Sequence, residues 1–279
     1  SAISANPGVN PSLTITAMAE RFADEGMKIV LADIDQEALD RAAAEMQAKG
    51  VAVLPVRTDV SKPEEVDALA QKTLDAFGAV HIVCNNAGVL QPGGLLWDAT
   101  LADWQWVIGV NLWGVIHGVR TFVPIMLKQD TEGHIVNTAS MAGLVTAPFL
   151  GIYSVAKHGV VALSENLYHE FNFAGSKLKV SVLCPAWVNT NLTDAARNRP
   201  AEFQDAADRP VNQAGQVVME TVRQLLATGM STEQVAQEVF QAVRDEKLYI
   251  LPHRERNDVI QTRMECILEE RNPVTTPFT

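Results

Sequence analysis

Three cysteines in 279 residues, no apolar run long enough to cross a bilayer and no excess of positive charge mark this sequence at first sight. Each shortage removes a class of protein. Cys84, Cys184 and Cys266 are odd in number and widely spaced, which excludes a disulfide scaffold. Two of them lie in apolar, strand-like runs and read as reduced core thiols of a cytoplasmic protein. A membrane span needs about 18 consecutive apolar residues, and none is found. The first residues lack the basic, apolar and small-residue order of a signal peptide. With 22 basic against 33 acidic side chains, the net charge of -11 argues against a nucleic-acid partner. The six histidines have no metal-ligand spacing, and no Gly-x-Ser-x-Gly elbow surrounds Ser140. No metal is therefore expected, and a zinc enzyme or a serine hydrolase is set aside.

What the sequence does have is alternation. Met27–Asp33, Val51–Val56, Val80–Cys84, His134–Ala139, Val180–Cys184 and Leu248–Leu251 are short apolar runs. Helical patterns separate them: Ala17–Glu25 closed by Gly26, Asp35–Lys49 closed by Gly50, and a helix to Phe77 opened by a capping box at Ser61–Glu64. Further helices run from Thr100 to about Lys128, from Tyr153 to about Phe173, over 215–228, over 232–246 behind a box at Ser231–Gln234, and over Asn257–Arg271. The strands are continuously apolar rather than alternating, so both faces of their sheet are covered. This predicts an α/β fold: a doubly wound, mostly parallel, Rossmann-like sheet with helices on both faces, in a single domain over 1–279. Residues 191–214 read as polar and irregular. In such a sheet a ligand lies at the carboxyl ends of the strands, where strand order reverses. Asp33, Asp59, Asn85–Gly88, Ser140 and Pro185–Thr190 all fall at such ends.

Two residues among these segments carry chemistry. Tyr153 and Lys157 stand four apart at the start of a helix, a spacing that puts them on one face. A free tyrosine has a pKa of about 10, and a nearby ammonium can lower it by about 1–3 units. A phenol so tuned moves a proton near neutral pH, with Ser140 holding the same oxygen. Taken alone, the spacing more often marks a solvated surface pair.

Ser140 followed by Tyr153-Ser-Val-Ala-Lys157, with Asn85-Asn-Ala-Gly88, Asn111 and Pro185-Ala-Trp-Val-Asn-Thr190, resembles the short-chain dehydrogenase/reductase family over about residues 17–272. The resemblance implies a catalytic set of Asn111, Ser140, Tyr153 and Lys157. Tyr153 would be the acid/base, Ser140 would place the substrate oxygen, and Lys157 would depress the tyrosine pKa and bond the nicotinamide ribose. Asn111 would distort its helix and hold a proton-relaying water. For a cofactor it implies Asp33 at the adenosine ribose, Asp59 and Val60 beside adenine, and Asn86, Ala87 and Gly88 passing close to the dinucleotide. Pro185, Val188 and Thr190 would complete the site with Tyr153 and Lys157. No Arg or Lys directly follows Asp33, which favours NAD over NADP. Ala186 stands where the family has glycine.

One motif departs from the family. Its three glycine places fall on Val9, Leu13 and Ile15, although those glycines let backbone approach a pyrophosphate at a helix N-terminus. A β-branched Ile15 is expected to obstruct that approach, and residues 1–7 make a poor central strand. A divergent working loop, an altered stretch of chain and a relative with impaired NAD binding all fit. The return of the match at Ala17 favours the second.

The implied activity is NAD-dependent interconversion of a secondary alcohol and a ketone on a small, largely apolar substrate. The rival is a non-catalytic binding or scaffold relative with a defunct nucleotide site. Residues 190–229 would form a lid, with Leu90, Phe149, Leu150 and Trp187 suggesting an apolar pocket; Trp187 could equally pack in the core. His134–Ser140, Asn198-Arg-Pro200 and Leu248-Tyr-Ile250 also resemble a bacterial subgroup that includes aryl-ether alcohol dehydrogenases, which assigns no substrate. A homo-oligomer, tetramer or dimer, with no nucleic acid and no membrane, is the partner expectation.

Overall fold

The computed structural model describes residues 2–6, 12–90, 93–206 and 213–274. The described strands are β1 (Ala2–Asn6), β2 (Lys28–Asp33), β3 (Val53–Arg57), β4 (Ile82–Asn85), β5 (Gly133–Thr138), β6 (Leu178–Leu183) and β7 (Tyr249–Ile250). They form one sheet in the order β3-β2-β1-β4-β5-β6-β7, parallel at every pairing. Strand order reverses between β1 and β4, so the ligand position expected of this architecture lies above that pair.

The helices are α1 (Ser12–Ala23), α2 (Gln36–Ala48), α3 (Pro63–Phe77), α4 (Leu101–Ile108), α5 (Gly114–Gln129), α6 (Gly151–Phe173), α7 (Gln213–Ala227), α8 (Thr232–Arg244) and α9 (Asn257–Leu268). One face of the sheet is closed by α1, α2 and α8, where Ile15, Phe22, Ile29, Leu31, Val239 and Phe240 form a continuous core. The other carries α3, α5 and α6, with Val30, Val83, Phe122, Ile135 and Val180 between them. Burying each such side chain stabilises the fold by about 1.5–3 kcal/mol.

Four sequence expectations need correction. Residues 2–6 are the central strand after all, pairing with both β2 and β4. A ladder needs only backbone N–H and C=O groups, and no proline interrupts these five residues. Helix α1 begins at Ser12 rather than Ala17, so Ile15 lies inside it, 1% exposed in the core beside α8. Its side chain fills the core rather than obstructing a phosphate site. The third correction is at α3, capped by Lys62 without a side-chain bond. The box expected at Ser61–Glu64 does not form, because Glu65 reaches back to the Asp59 N–H (2.7 Å) and Ser61 bonds the Asp59 carboxylate. Last, residues 191–206 are not wholly irregular but hold 3-10 turns at Leu192–Asn198 and Ala201–Ala206. The glycine place at Val9 lies outside the described residues.

The box at Ser231–Gln234 forms as read, and Asp35 caps α2 through the Ala38 N–H. Helices α4 and α5 join through a π turn at Gly109–Trp113. The resulting run, Leu101–Gln129, is long and apolar enough to cross a membrane, longer than the sequence reading allowed, but half of its most apolar 18-residue stretch is buried in the chain's own interior. Its apolarity is that of a core helix packed against α3 and α6.

Candidate active site

The ends of β4, β5 and β6 and the start of α6 converge on one cleft of about 570 Å³, mouth included. Asn86, Gly88, Ser140, Tyr153, Lys157, Pro185, Val188 and Thr190 all line it. Eight of the residues singled out in the sequence are thus brought together. Ser140 leaves β5 with an extended backbone, and its Oγ accepts the Ala142 N–H (3.2 Å). Tyr153 shares a hydrogen bond with the Ser140 hydroxyl. One turn along α6, Lys157 is 2% exposed; its Nζ donates to the Thr138 carbonyl (2.8 Å) and stands 5.6 Å from the centre of the Tyr153 ring.

Asn111 lies in the π turn, fully buried. Its Oδ1 accepts the Val89 N–H (2.7 Å) and its Nδ2 donates to the Val89 carbonyl (2.8 Å). The helix distortion implied by the resemblance is present, and the amide pins the strand-end segment 88–89. A Cβ at Gly88 would stand 3.5 Å from Asn111 Oδ1 and 3.7 Å from Lys157 Nζ, so this backbone runs between the two side chains. Below them a buried amide chain ties the strands: Asn85 Nδ2 donates to Asn137 Oδ1 (2.9 Å), and Asn137 Nδ2 to Ser164 Oγ (3.0 Å).

The electrostatics overturn one expectation. Burial pushes the Tyr153 phenol up to about 12, against the lowering effect of Ser140. Lys157, equally buried, falls to about 8. The lysine does not depress the tyrosine in this arrangement: desolvation disfavours the charged form of both groups, and the ammonium is turned to Thr138.

At the other half of the edge, Asp59 and Val60 line a separate cleft of about 680 Å³ with Ile34, Trp106 and Phe203. Asp59 also serves the turn into α3, since Ser61 donates to it through both N–H (2.9 Å) and Oγ (2.7 Å). Ala87 is buried in the core beside Val60. Asp33 ends β2, 3% exposed, and accepts the Asp35 N–H (2.9 Å); burial raises its carboxyl to about 7.

A third cleft, about 790 Å³ with its mouth, opens from Ser140 and Tyr153 between apolar walls that include Leu90, Leu150, Trp187 and Leu226. Phe149, expected in that wall, does not line it; its backbone takes a positive φ of 65° and turns the chain into α6 instead. Trp187 does both things the sequence left open: it lines the cleft and packs against the core cluster of Leu90, Leu150, Val222 and Leu226.

Comparison with known proteins decides the family. The family model described as short chain dehydrogenase matches residues 16–201. The chain belongs to the short-chain dehydrogenase/reductase family. This oxidoreductase is 33% identical over 258 residues to the "CLA biosynthesis dehydrogenase/reductase" of Lactiplantibacillus plantarum, covering 92% of this chain and 90% of the relative. It is 30% identical over 256 residues to the "C alpha-dehydrogenase" of a Sphingobium species, covering 92% and 82%. Among solved structures, a short-chain dehydrogenase/reductase from Burkholderia phymatum in complex with NAD superposes with a TM-score of 0.94 at 42% identity, over 99% of this chain and 96% of that one. The family match begins at residue 16, one residue before Ala17, where the sequence returns to the family pattern after the missing glycines.

Several residues of this short-chain dehydrogenase/reductase escaped the sequence reading. Thr138 holds both Lys157, through its carbonyl, and Asn86, through its hydroxyl (2.9 Å to Oδ1). His253 accepts the Ala186 N–H at Nδ1 (3.1 Å) and donates from Nε2 to the Trp187 carbonyl (3.0 Å). Arg199 forms a buried pair with Asp103 (2.8 Å). Thr138 and Arg199 fall in runs quoted for the subgroup resemblance, but nothing local names their partners, and His253 lies in no motif; each is joined to its partner only by the fold.

Proposed function

We propose that the chain interconverts a secondary alcohol and a ketone with NAD as hydride carrier. The observation that carries this reading is the Ser140–Tyr153 hydrogen bond at the mouth of an apolar cleft, with Lys157 buried one turn behind. The residues fit a nicotinamide nucleotide. The Nδ2 of buried Asn86 has no partner among the described residues and lines the cleft that Gly88, Lys157 and Thr190 share. Lys157 and Thr190 would hold its ribose and carboxamide, Val60 and Asp59 its adenine, and Asp33 its ribose hydroxyls. When bound, the nicotinamide accepts or supplies the hydride.

The protein's own part is position and proton transfer. Ser140 orients the reacting oxygen, and Tyr153 gives a proton to it in reduction or takes one in oxidation. A phenol held near 12 stays protonated at neutral pH and so is set for the acid role. Asn111 keeps segment 88–89 in place, and Pro185 and Val188 wall the cleft. Of the lid expected over 190–229, residues 207–212 lie outside the described residues, and Leu192, Val222 and Leu226 line the apolar cleft as a lid requires. The side chains of Trp113 on the π turn before α5 and of Val155, Tyr168 and Phe173 on α6 are exposed, which supports a homo-oligomer. Three buried thiols, Cys84, Cys184 and Cys266, support a reducing, cytoplasmic location.

The deciding experiment is NADH formation from a panel of apolar secondary alcohols, with Tyr153→Phe as control. Turnover that survives in the variant sinks the assignment. The second reading, a binding relative with an impaired nucleotide site, is favoured by Val9, Leu13 and Ile15 in the glycine places. A fluorescence titration with NADH separates the two: saturable binding supports the enzyme, and none at millimolar cofactor supports the rival.

A further inference from the structure

The apolar cleft contains one feature that the oxidation of a simple alcohol does not use. Among the described residues that line it, Arg256 is the single charged side chain; the rest are apolar apart from Ser140, Tyr153 and the Trp187 indole. A guanidinium is costly to keep beside apolar walls unless a partner satisfies it. Its neighbours in sequence and space have partners: Arg254 pairs with Glu238 (3.6 Å) and Arg271 with Glu269. Arg256 has neither an ion pair nor a side-chain hydrogen bond among the described residues. It is half-buried, at the entry to α9.

A second cleft of about 710 Å³ continues from the first. Val145 and Val259 line both, and Arg263 lines the second. Arg263 also lacks an ion pair among the described residues and is half-buried. Arg256 is the residue that caps the start of α9, and Arg263 stands on α9 about two turns further along. Two unpaired guanidiniums thus follow the catalytic cleft along α9. The chain as a whole carries a net charge of -11, so an anion gains nothing from its general field and must be held locally.

We propose that the substrate is an apolar secondary alcohol, or its ketone, that also carries a carboxylate, and that Arg256 is the specificity-determining residue that binds this carboxylate while Ser140 and Tyr153 hold the carbinol. This rests on the reading of the cleft as the substrate site. Arginine is suited to the task because its planar fork meets a carboxylate with two parallel hydrogen bonds. The alkyl or ring body between the two polar ends lies against Leu90, Leu150, Val222 and Leu226.

The test compares 9-hydroxydecanoate with its methyl ester, a pair that differs in the charge and one methyl group. The wild type shows a higher kcat/KM for the acid, and Arg256→Leu lowers the acid-to-ester ratio by roughly ten- to hundredfold, mostly through KM. Arg256→Lys, which keeps the charge but not the fork, restores part of the ratio. In parallel, titration calorimetry follows decanoate and methyl decanoate binding to the wild type and to Arg256→Leu. An acid-to-ester ratio unmoved by Arg256→Leu, with decanoate binding also unmoved, overturns the proposal while leaving the alcohol dehydrogenase reading in place. Decanoate binding lost in Arg256→Leu, in a protein that oxidises neither compound, supports the anion site and removes the enzymatic reading instead.

Discussion

The two halves of the sheet's carboxyl edge are built on different terms. Above β4, β5 and β6 the work is done by side chains, and each has a fixed partner: Lys157 the Thr138 carbonyl, Thr138 the Asn86 amide, Asn111 the Val89 backbone and Ser140 the Ala142 N–H. Above β1, β2 and β3 the family relies on backbone brought close to a phosphate, and here the glycines that permit this approach are replaced at Val9, Leu13 and Ile15. Among the described residues that side offers Asp33, buried at the cost of its charge, Asp59, occupied by Ser61, and the apolar Val60. The difference shows that a catalytic half can be specified by residue identity alone, while a nucleotide half depends on space. Substitutions should therefore divide into those that remove chemistry without disturbing the fold and those that disturb the fold without touching chemistry.

Tyr153→Phe should give the largest effect and the cleanest separation. It removes the proton donor but keeps the ring that packs beside Leu90, Leu150 and Val222. Turnover should fall by about 10²–10⁴-fold with an unchanged melting temperature. The wild type should also show an asymmetry with pH. Oxidation needs the phenolate, and with the phenol near 12 its rate should climb through the alkaline range. Reduction uses the protonated phenol and should stay flat there. Initial rates in both directions across pH check this, and a plateau in oxidation near neutrality would show that the phenol is lowered during turnover.

Asp33→Asn should do the reverse on the other half. The folded carboxyl sits near 7 and the ordinary value is 3.8. Between these the folded state keeps a proton that the unfolded chain has released, so stability falls as pH rises from about 4 to 7 and the deficit is complete above 7. Asparagine retains an oxygen for the Asp35 N–H and carries no charge. The variant should be more stable than wild type above pH 7, by on the order of 4 kcal/mol at most, with little difference below pH 4. It should bind NADH more weakly. Urea unfolding at several pH values measures the first, and a fluorescence titration the second.

Arg199→Met tests whether the lid is joined to the nucleotide half. Arg199 is buried against Asp103 and lies 5.0 Å from the Trp106 ring centre, and its Nε donates to the Phe203 carbonyl (2.9 Å). Trp106 and Phe203 both line the cleft of Asp59 and Val60. Removing the guanidinium leaves Asp103 without its buried partner, a loss of about 3 kcal/mol, and frees segment 192–206. Cofactor affinity should fall more than kcat. A reduced kcat at unchanged affinity would separate this segment from the nucleotide site.

How much of this the sequence displayed follows the same division. The strands of continuous apolarity, the Asp35 cap and the Ser231–Gln234 box were legible because their causes are local. The residues proposed as catalytic stood out because type and spacing alone pick them out, and the fold brings Ser140, Tyr153 and Lys157 to one cleft. The central strand was not, since Ala2–Asn6 pairs through backbone and shows no side-chain pattern of its own. The true entry to α3 was missed because Glu64 and Glu65 are equally good in sequence and only the position of the Asp59 N–H chooses between them. The sign of the Tyr153 shift was missed because the i, i+4 spacing displays the ammonium but not the burial that outweighs it.

His253 offers the smallest and most specific test. It is buried on the segment between β7 and α9, 67 residues from Ala186, and no motif announces it. With Nδ1 accepting the Ala186 N–H, Nε2 must carry the proton that it donates to the Trp187 carbonyl. One neutral ring thus fixes two successive peptide groups of the loop that replaces the family's glycine with Ala186 and carries Trp187 into the apolar cleft. His253→Phe keeps a flat ring but leaves both groups unpaired; an unmade buried hydrogen bond costs about 1–3 kcal/mol. Because the loop bears on the substrate wall and on Val188 and Thr190, KM for both alcohol and NAD should rise about tenfold with a smaller change in kcat. His253→Asn, which retains an acceptor near the Nδ1 position, should recover the Ala186 bond and part of the loss. A fall in stability alone, with both KM values unchanged in His253→Phe, would show that the ring serves the core and that the loop holds its own shape.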